Sequence, residues 1–169
     1  MNCKDIVRLA LDEYMSELRK ALDGLTAEER RFQPSPDSHH IDFAVWHMAR
    51  VEDGWVSGTQ SIDLVWQTEG WPQKLELPED DGGSGYTAEQ VASLPEFDID
   101  DMMAYYDSVR RETYRYLDGL SNADFDSVPF PENYPEHTVG KVFSHVIVEE
   151  SQHVGQIAYL RGIQRGLNR

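Results

Sequence analysis

The sequence predicts an all-α protein, a four-helix bundle with a long connection between its second and third helices. Four segments place apolar residues at alternating steps of three and four, which is the spacing of one face of an α-helix. No convincing series of strands accompanies them. The chain has 169 residues, of which 40% are hydrophobic and 11% aromatic, as is typical of a folded globular protein. At that length we expect a single domain over residues 1–169.

The first predicted helix runs from about residue 4 to 23. Its apolar face consists of Val7, Leu11, Tyr14, Leu18, Leu22 and Leu25. After Gly24, the residues Thr26 and Glu29 have the spacing of a capping box and predict a short helical turn. The Pro-Ser-Pro stretch at 34–36 ends this turn, because proline disfavours helical backbone in the residue before it.

The second predicted helix extends from 39 to about 59, with Ser38 as its N-cap. Its apolar residues are Ile41, Ala44, Val45, Met48, Val51 and Trp55. Because the chain is so acidic, we interpret Glu52, Asp53 and the later Glu150 as solvated side chains. The alternative is that they orient metal-bound histidines.

Residues 67–96 connect the second and third helices and contain three prolines and several glycines. A loop of this length is uncommon in a compact domain unless it covers a site or is mobile. The stretch TAEQVASL within it predicts one helical turn. We assign Trp46 and Trp55 to the core, and Trp66 and Trp71 to its edge. The alternative is that these rings line a substrate pocket with the loop as a lid.

The third and fourth helices have clear start signals. Asp98 is suited to cap the third helix, which should end near residues 119–121. Its apolar face consists of Met102, Tyr105, Val109, Thr113, Tyr116 and Leu120. A polar connection that contains proline leads to Thr138, a good N-cap for a fourth helix that extends to about Gly162.

Composition excludes several classes of function. Lys and Arg number 15 against 31 Asp and Glu, so the formal net charge is -16, and such a field repels the phosphates of DNA and RNA. The N-terminus lacks the apolar run of a signal peptide, and no stretch reaches the roughly 18 apolar residues of a membrane span. Cys3 is the only cysteine, so no intrachain disulfide can form. We therefore expect a cytoplasmic protein that binds neither nucleic acid nor membranes.

The stretch HVIVEESQHVGQIAYLRG, residues 145–162, places polar residues in the apolar stripe of the fourth helix. That stripe passes through Val146, Glu149, His153 and Leu160, so Glu149 and His153 are predicted to face the bundle interior. A carboxylate removed from water without a partner is costly. Because residues four apart share a helix face, Glu149 and His153 can bind one cation together.

A third ligand has to come from another helix, and His47 on the flank of the second helix is the best candidate. Two histidines and one carboxylate favour zinc, iron or nickel over magnesium or calcium. His145 lies two turns and about 12 Å from His153 along the helix, too far for both to bind one small ion. On spacing alone, a buried ion pair or hydrogen-bonded histidine at Glu149 and His153 is the competing interpretation.

Two stretches resemble the DinB/YfiT-like metalloenzyme family. They are LDGLTAEERRFQPSPDSHHIDFAVWHMARVEDGW around His47 and HVIVEESQHVGQIAYLRG around His153. The H-x-G-Q-I-x-x-L-R pattern of the second stretch is the more specific, and the resemblance spans nearly the whole chain. It implies a four-helix bundle in which a second-helix histidine and two fourth-helix residues bind a divalent metal. In this chain those positions are His47, Glu149 and His153.

Glu149 stands where most members of that family have histidine. The related mycothiol-dependent maleylpyruvate isomerases look similar and use a His, Glu, His set, so the substitution is compatible with zinc binding. The resemblance implies a metal-dependent enzyme acting on a small molecule. Its cofactor would be zinc or nickel, with iron or manganese as alternatives.

The activity that the resemblance implies is an S-transferase or isomerase that uses a low-molecular-weight thiol of the mycothiol or bacillithiol type. The alternatives are a metal-dependent hydrolase and a non-catalytic bundle that binds a small molecule or a metal. The family likeness also implies a homodimer. Neither the residue pattern nor the resemblance identifies a general acid or base.

Overall fold

The computed structural model describes residues 2–166, and every regular element in that range is a helix. The elements are α1 (Cys3–Leu22), α2 (Ala27–Arg30), α3 (Ile41–Gln60), α4 (Val65–Thr68), α5 (Trp71–Leu75), α6 (Ala88–Ala92), α7 (Ile99–Gly119), a 3-10 helix (Asn122–Asp126) and α8 (Val139–Arg165). The predicted all-α class is confirmed. The long helices α1, α3, α7 and α8 occupy the four segments in which the sequence predicts helices.

Most helix starts follow the predicted caps. Asp98 and Thr138 accept hydrogen bonds from the first-turn backbone of α7 and α8. The prediction of Ser38 as the cap of α3 is wrong, because the His40 Nδ1 atom accepts the capping hydrogen bond at 3.0 Å. The Ser38 hydroxyl instead closes a turn with Ser35, and the helix begins later as a result.

The long helices enclose a common apolar interior. α8 packs against α1 and α3, and α7 packs against α3 and less extensively against α1. The most completely buried large side chains include Leu11, Leu18, Trp46, Met48, Trp66, Met102, Tyr105, Leu117, Phe143 and Ile157. Trp66 thus belongs to the core and Trp55 is partly exposed, which reverses their sequence-based assignments. None of the helices in residues 2–166 combines the length and apolarity that a membrane crossing requires.

A buried ion pair joins Glu52 of α3 to Arg110 of α7. The guanidinium donates from Nε to Oε1 at 2.9 Å and from Nη2 to Oε2 at 2.8 Å. The hydroxyls of Thr113 and Tyr14 also donate to this carboxylate, at 2.6 and 2.9 Å. Burial by itself raises the pKa of Glu52, but Arg110 and these hydrogen bonds outweigh it and hold the pKa below its usual value. The carboxylate is therefore ionised and links α1, α3 and α7.

A second carboxyl group, that of Glu150 on α8, is also fully buried. It accepts a hydrogen bond from the Tyr106 hydroxyl at 2.6 Å, while its Oε1 atom has no hydrogen-bond partner. Burial and the nearby charge of Glu52 raise its pKa well above the usual value, which favours the protonated form of Glu150. The interpretation of Glu52, Asp53 and Glu150 as solvated side chains is wrong, since all three are at most 1% exposed.

The connection from α3 to α7, residues 61–98, is fastened to polar side chains of α3 and its cap. The Asp53 carboxylate accepts hydrogen bonds from the first two backbone N–H groups of α4, at 3.0 and 2.8 Å. Arg50 donates to the Asp81 carbonyl at 3.3 Å. The cap residue His40 contacts a carbonyl of α6 at 3.3 Å. The sequence left two interpretations of this loop, a cover over a site or a mobile segment. In the structure it packs along α3 as a cover.

Replacing Arg110 with methionine should lower the free energy of unfolding by about 3–5 kcal/mol, because Glu52 would keep a buried charge without its cation. Urea denaturation at pH 7 measures this loss. The slope of the free energy of unfolding against urea concentration should stay unchanged, because only stability is altered. Arg115→Met is the matched control, since Arg115 pairs with Glu112 at the surface and exposed pairs contribute about 0–1 kcal/mol. Equal losses in the two variants would contradict a structural role for the buried pair.

Candidate metal centre

His47, Glu149 and His153 converge where α3 and α8 pack together. The Nε2 atom of His47 lies 3.5 Å from Glu149 Oε1, and His153 Nε2 lies 3.4 Å from the same oxygen. The three candidate ligand atoms lie within 4.8 Å of one another. Glu149 and His153 are one helical turn apart on α8, and α3 brings His47 to them from a distant part of the chain.

These separations suit a small transition-metal ion. A tetrahedral ion at about 2.0–2.2 Å from each ligand atom holds neighbouring ligand atoms about 3.3–3.6 Å apart. The two histidine–glutamate separations, 3.5 and 3.4 Å, fall in that range. Imidazole nitrogen and carboxylate oxygen suit zinc, nickel and iron, whereas magnesium and calcium prefer oxygen alone. The residues therefore fit a divalent transition metal with three protein ligands.

The second ring nitrogen of each histidine is hydrogen-bonded. His47 Nδ1 lies 2.6 Å from the carbonyl oxygen of Gly82, which can only accept, so this nitrogen carries the proton. His153 Nδ1 lies 2.8 Å from Gln156 Oε1. Each bond selects the tautomer whose Nε2 lone pair is directed towards Glu149. Sequence reasoning singled out neither Gly82 nor Gln156, although Gln156 lies in the quoted H-x-G-Q pattern.

His153 is an uncharged ring at neutral pH. Burial lowers its pKa, and the adjacent His47 ring lowers it further. His39 lies beside it, with 5.8 Å between the two ring centroids, and burial and His153 likewise lower the pKa of His39. The Nδ1 atom of His39 is buried without a hydrogen-bond partner. His39 thus borders the centre. The sequence prediction did not single it out, and in the structure it lies before the start of α3.

Glu149 and His153 lie on the flank of α8 and not in the bundle interior that the sequence analysis assigned to them. Their side chains are 27% and 12% exposed. The interior stripe of α8 consists of Val142, Val146, Glu150, Val154 and Ile157. Steps of three or four residues fit either stripe, so the pattern does not decide which glutamate is buried. His145 is exposed and packs against the Trp55 ring at 5.3 Å between centroids, outside the ligand group.

The covering loop approaches the centre through a glycine in the left-handed region. Gly83 has a φ of 82°. A Cβ atom there would lie 3.0 Å from ring atoms of both Phe43 and Trp46, and 3.4 Å from His47 Nδ1. The Phe43 ring stacks on His47, with centroids 5.7 Å apart and planes inclined by 6°. Only glycine therefore lets the chain pass closely enough for the neighbouring carbonyl to reach His47.

Comparison with known proteins identifies both a family and a fold. A family model described as the DinB superfamily matches residues 10–157. The structure is similar to the crystal structure of a conserved protein from Enterococcus faecalis, with a TM-score of 0.86 and 23% sequence identity over 96% of this chain and 97% of that chain. At that identity the likeness shows the fold alone. No curated protein sequence matches the chain.

Gly83→Ala should weaken zinc binding by about 10–100-fold, the usual effect of losing the group that orients a ligating histidine. The variant is titrated with zinc against a chromophoric chelator, starting from metal-free protein. Gly85→Ala is the matched control, because Gly85 also has a positive φ of 73° but its Cβ would meet nothing within 4 Å. Should both variants bind zinc as tightly as the unmodified protein, the Gly82 carbonyl does not support the metal centre.

Proposed function

The chain belongs to the DinB superfamily, and we propose that it is a divalent-metal-dependent enzyme that acts on a small molecule. The observation that carries this proposal is the convergence of three ligand atoms within 4.8 Å. We assign His47, Glu149 and His153 as the ligands and zinc or nickel as the ion, with iron or manganese as alternatives. Catalytic zinc sites have three protein ligands and one open position, whereas structural sites are closed by four.

A divalent ion bound by these residues would supply a Lewis acid that lowers the pKa of a water or thiol at its open position. The protein's own part is to fix the ligands. In such a complex each imidazole is an uncharged ligand that binds through Nε2, and the carboxylate of Glu149 brings one negative charge. The ligand set therefore neutralises only half of the charge of a divalent ion. On the other side of His47, the Phe43 ring and the loop at Gly83 exclude water from the imidazole.

The finer proposal is an S-transferase or isomerase that depends on a low-molecular-weight thiol. It is supported by the family likeness. Cys3 is exposed at the start of α1 and is not among the residues of the centre, so the sulfur nucleophile of such a reaction would come from solution. The thiol would first lose its proton to solvent. The thiolate would then form a carbon–sulfur bond while the electrophilic carbon loses its leaving group or, for a conjugated double bond, while the neighbouring carbon takes up a proton from solvent.

Two other functions use the same residues. A metal-dependent hydrolase would need only water as the nucleophile. A non-catalytic bundle would bind a metal or small molecule without turnover. We also propose the cytoplasm as the location and a homodimer as the assembly, and sedimentation velocity tests the dimer directly.

Metal analysis tests the ligand assignment. Protein prepared without chelator and supplied with zinc or nickel should carry about one ion per chain, as a single three-ligand site requires. Glu149→Gln and His153→Ala should carry little or none, because each removes one of three ligands. His145→Ala is the matched control, one turn from Glu149 on α8 but outside the ligand group. If the unmodified protein takes up no transition metal even when supplied with it, the metalloenzyme proposal is wrong.

Product analysis separates the activities. Metal-loaded protein incubated with bacillithiol or mycothiol and an electrophilic bimane should accelerate formation of the thioether well above the rate with Glu149→Gln. The same protein with an activated ester tests the hydrolase alternative. Acceleration of ester cleavage alone would favour the hydrolase, and acceleration of neither reaction, in protein that carries metal, would favour the binding function.

A further inference from the structure

A cavity of about 330 Å³ opens beside the metal centre, between α3 and two segments of the connections. Its floor is α3, one wall includes Gly82 and Ser84, and the opposite wall includes Phe130 and Tyr134. The volume lies at the lower end of the roughly 300–1,000 Å³ that is usual for small-molecule pockets. It therefore suits a ligand of one or two fused rings.

The cavity adjoins the segment that holds His47. Gly82 lines it, and the Gly82 carbonyl is the group that holds His47. Val51, another lining residue, follows His47 by four residues on the same face of α3, which is about 6 Å along the helix axis. A ligand in the cavity would therefore extend one turn or more along α3 from the metal ligands.

Glycine keeps the floor of this cavity flat. Gly54 and Gly58 follow His47 by seven and eleven residues, so they lie on the same face of α3. A Cβ atom added to Gly54 would meet nothing within 4 Å, whereas one added to Gly58 would lie 3.3 Å from the Phe130 ring. At these two positions α3 presents backbone to the cavity, between the side chains of Val51 and Trp55.

Aromatic rings form the end of the cavity that lies farther from His47. The Trp55 ring meets the Phe130 ring at 5.9 Å and 70°, and the Tyr134 ring at 5.5 Å and 60°. A further flat π-system can join such a cluster by offset stacking or by edge-to-face contacts. The charged lining residue, Arg50, directs its guanidinium to the Trp66 ring at 4.9 Å and to the Asp53 carboxylate at 3.7 Å. Arg50 thus already has an anionic neighbour in Asp53, and the aromatic rings are the part of the lining that favours an aromatic ligand group.

We propose that this cavity binds a flat aromatic or conjugated group of the substrate, whose reactive end then extends along α3 to His47, Glu149 and His153. The inference rests on the proposed function for the role of the metal centre. The binding of an aromatic group in the cavity can be measured independently of that function.

The test compares two probes with the same skeleton, 2-naphthol and its saturated analogue decahydro-2-naphthol. Calorimetric titration of zinc-loaded protein should give at least tenfold tighter binding for 2-naphthol, since only the aromatic molecule can stack with the rings of the cavity. Gly54→Leu should weaken 2-naphthol binding at least tenfold by filling the cavity. Gly155→Leu, at a helical glycine of α8 that lines the separate groove between α1 and α8, should leave it unchanged.

Each outcome has one meaning. Equal binding of 2-naphthol to Gly54→Leu and the unmodified protein, or loss of binding in Gly155→Leu alone, overturns the proposed cavity. Equal affinity for the two probes overturns the preference for a flat group. If Gly54→Leu fails to fold, Tyr134→Ala removes one ring at an exposed position and should also weaken binding. Protein that binds 2-naphthol but no zinc would reject the metalloenzyme proposal and leave the cavity intact.

Discussion

The buried ion pair between Glu52 and Arg110 fixes the rotation of α3, and the candidate metal centre depends on that rotation. A fully buried carboxylate has to keep its hydrogen-bond donors, because leaving it unpaired costs several kcal/mol. Its donors come from α1 and α7, so this side of α3 faces those helices. Five residues turn an α-helix by about 140° beyond a full turn. His47 is therefore directed away from the ion pair, towards α8.

A matching constraint acts on α8 through Glu150, which follows the candidate ligand Glu149. Within residues 2–166, Arg110 is the one guanidinium that acts on both Glu52 and Glu150, and the raised pKa of Glu150 reduces this imbalance because a protonated acid carries no charge. Its hydrogen bond with Tyr106 holds this position of α8 against α7. The preceding residue is rotated by about 100° and therefore reaches the flank, where it meets His47. Two buried carboxyl groups, with pKa values shifted in opposite directions, thus align the helices that carry the candidate ligands.

The connection between α3 and α7 links this framework to the chemistry of the centre. The Asp53 carboxylate holds the start of α4, and Arg50 holds the backbone at Asp81. These contacts bring the next carbonyl, that of Gly82, onto the imidazole of His47. The same segment forms a wall of the cavity that we propose for substrate. Sequence alone could describe this loop only as a cover or a mobile segment. In the structure it orients the candidate metal ligand His47 and forms a wall of the cavity.

The sequence by itself determined the all-α class, the four long helices and the caps at Asp98 and Thr138, because helical periodicity and capping are local properties of the chain. Spacing and family likeness also selected His47, Glu149 and His153 as candidates. Only the tertiary structure decided that Glu150 is the interior residue and Glu149 the flanking one, since both positions fit a helical stripe. It also decided which groups hold the imidazoles and where the cavity lies. Those features depend on contacts between segments distant in sequence, which local patterns do not encode.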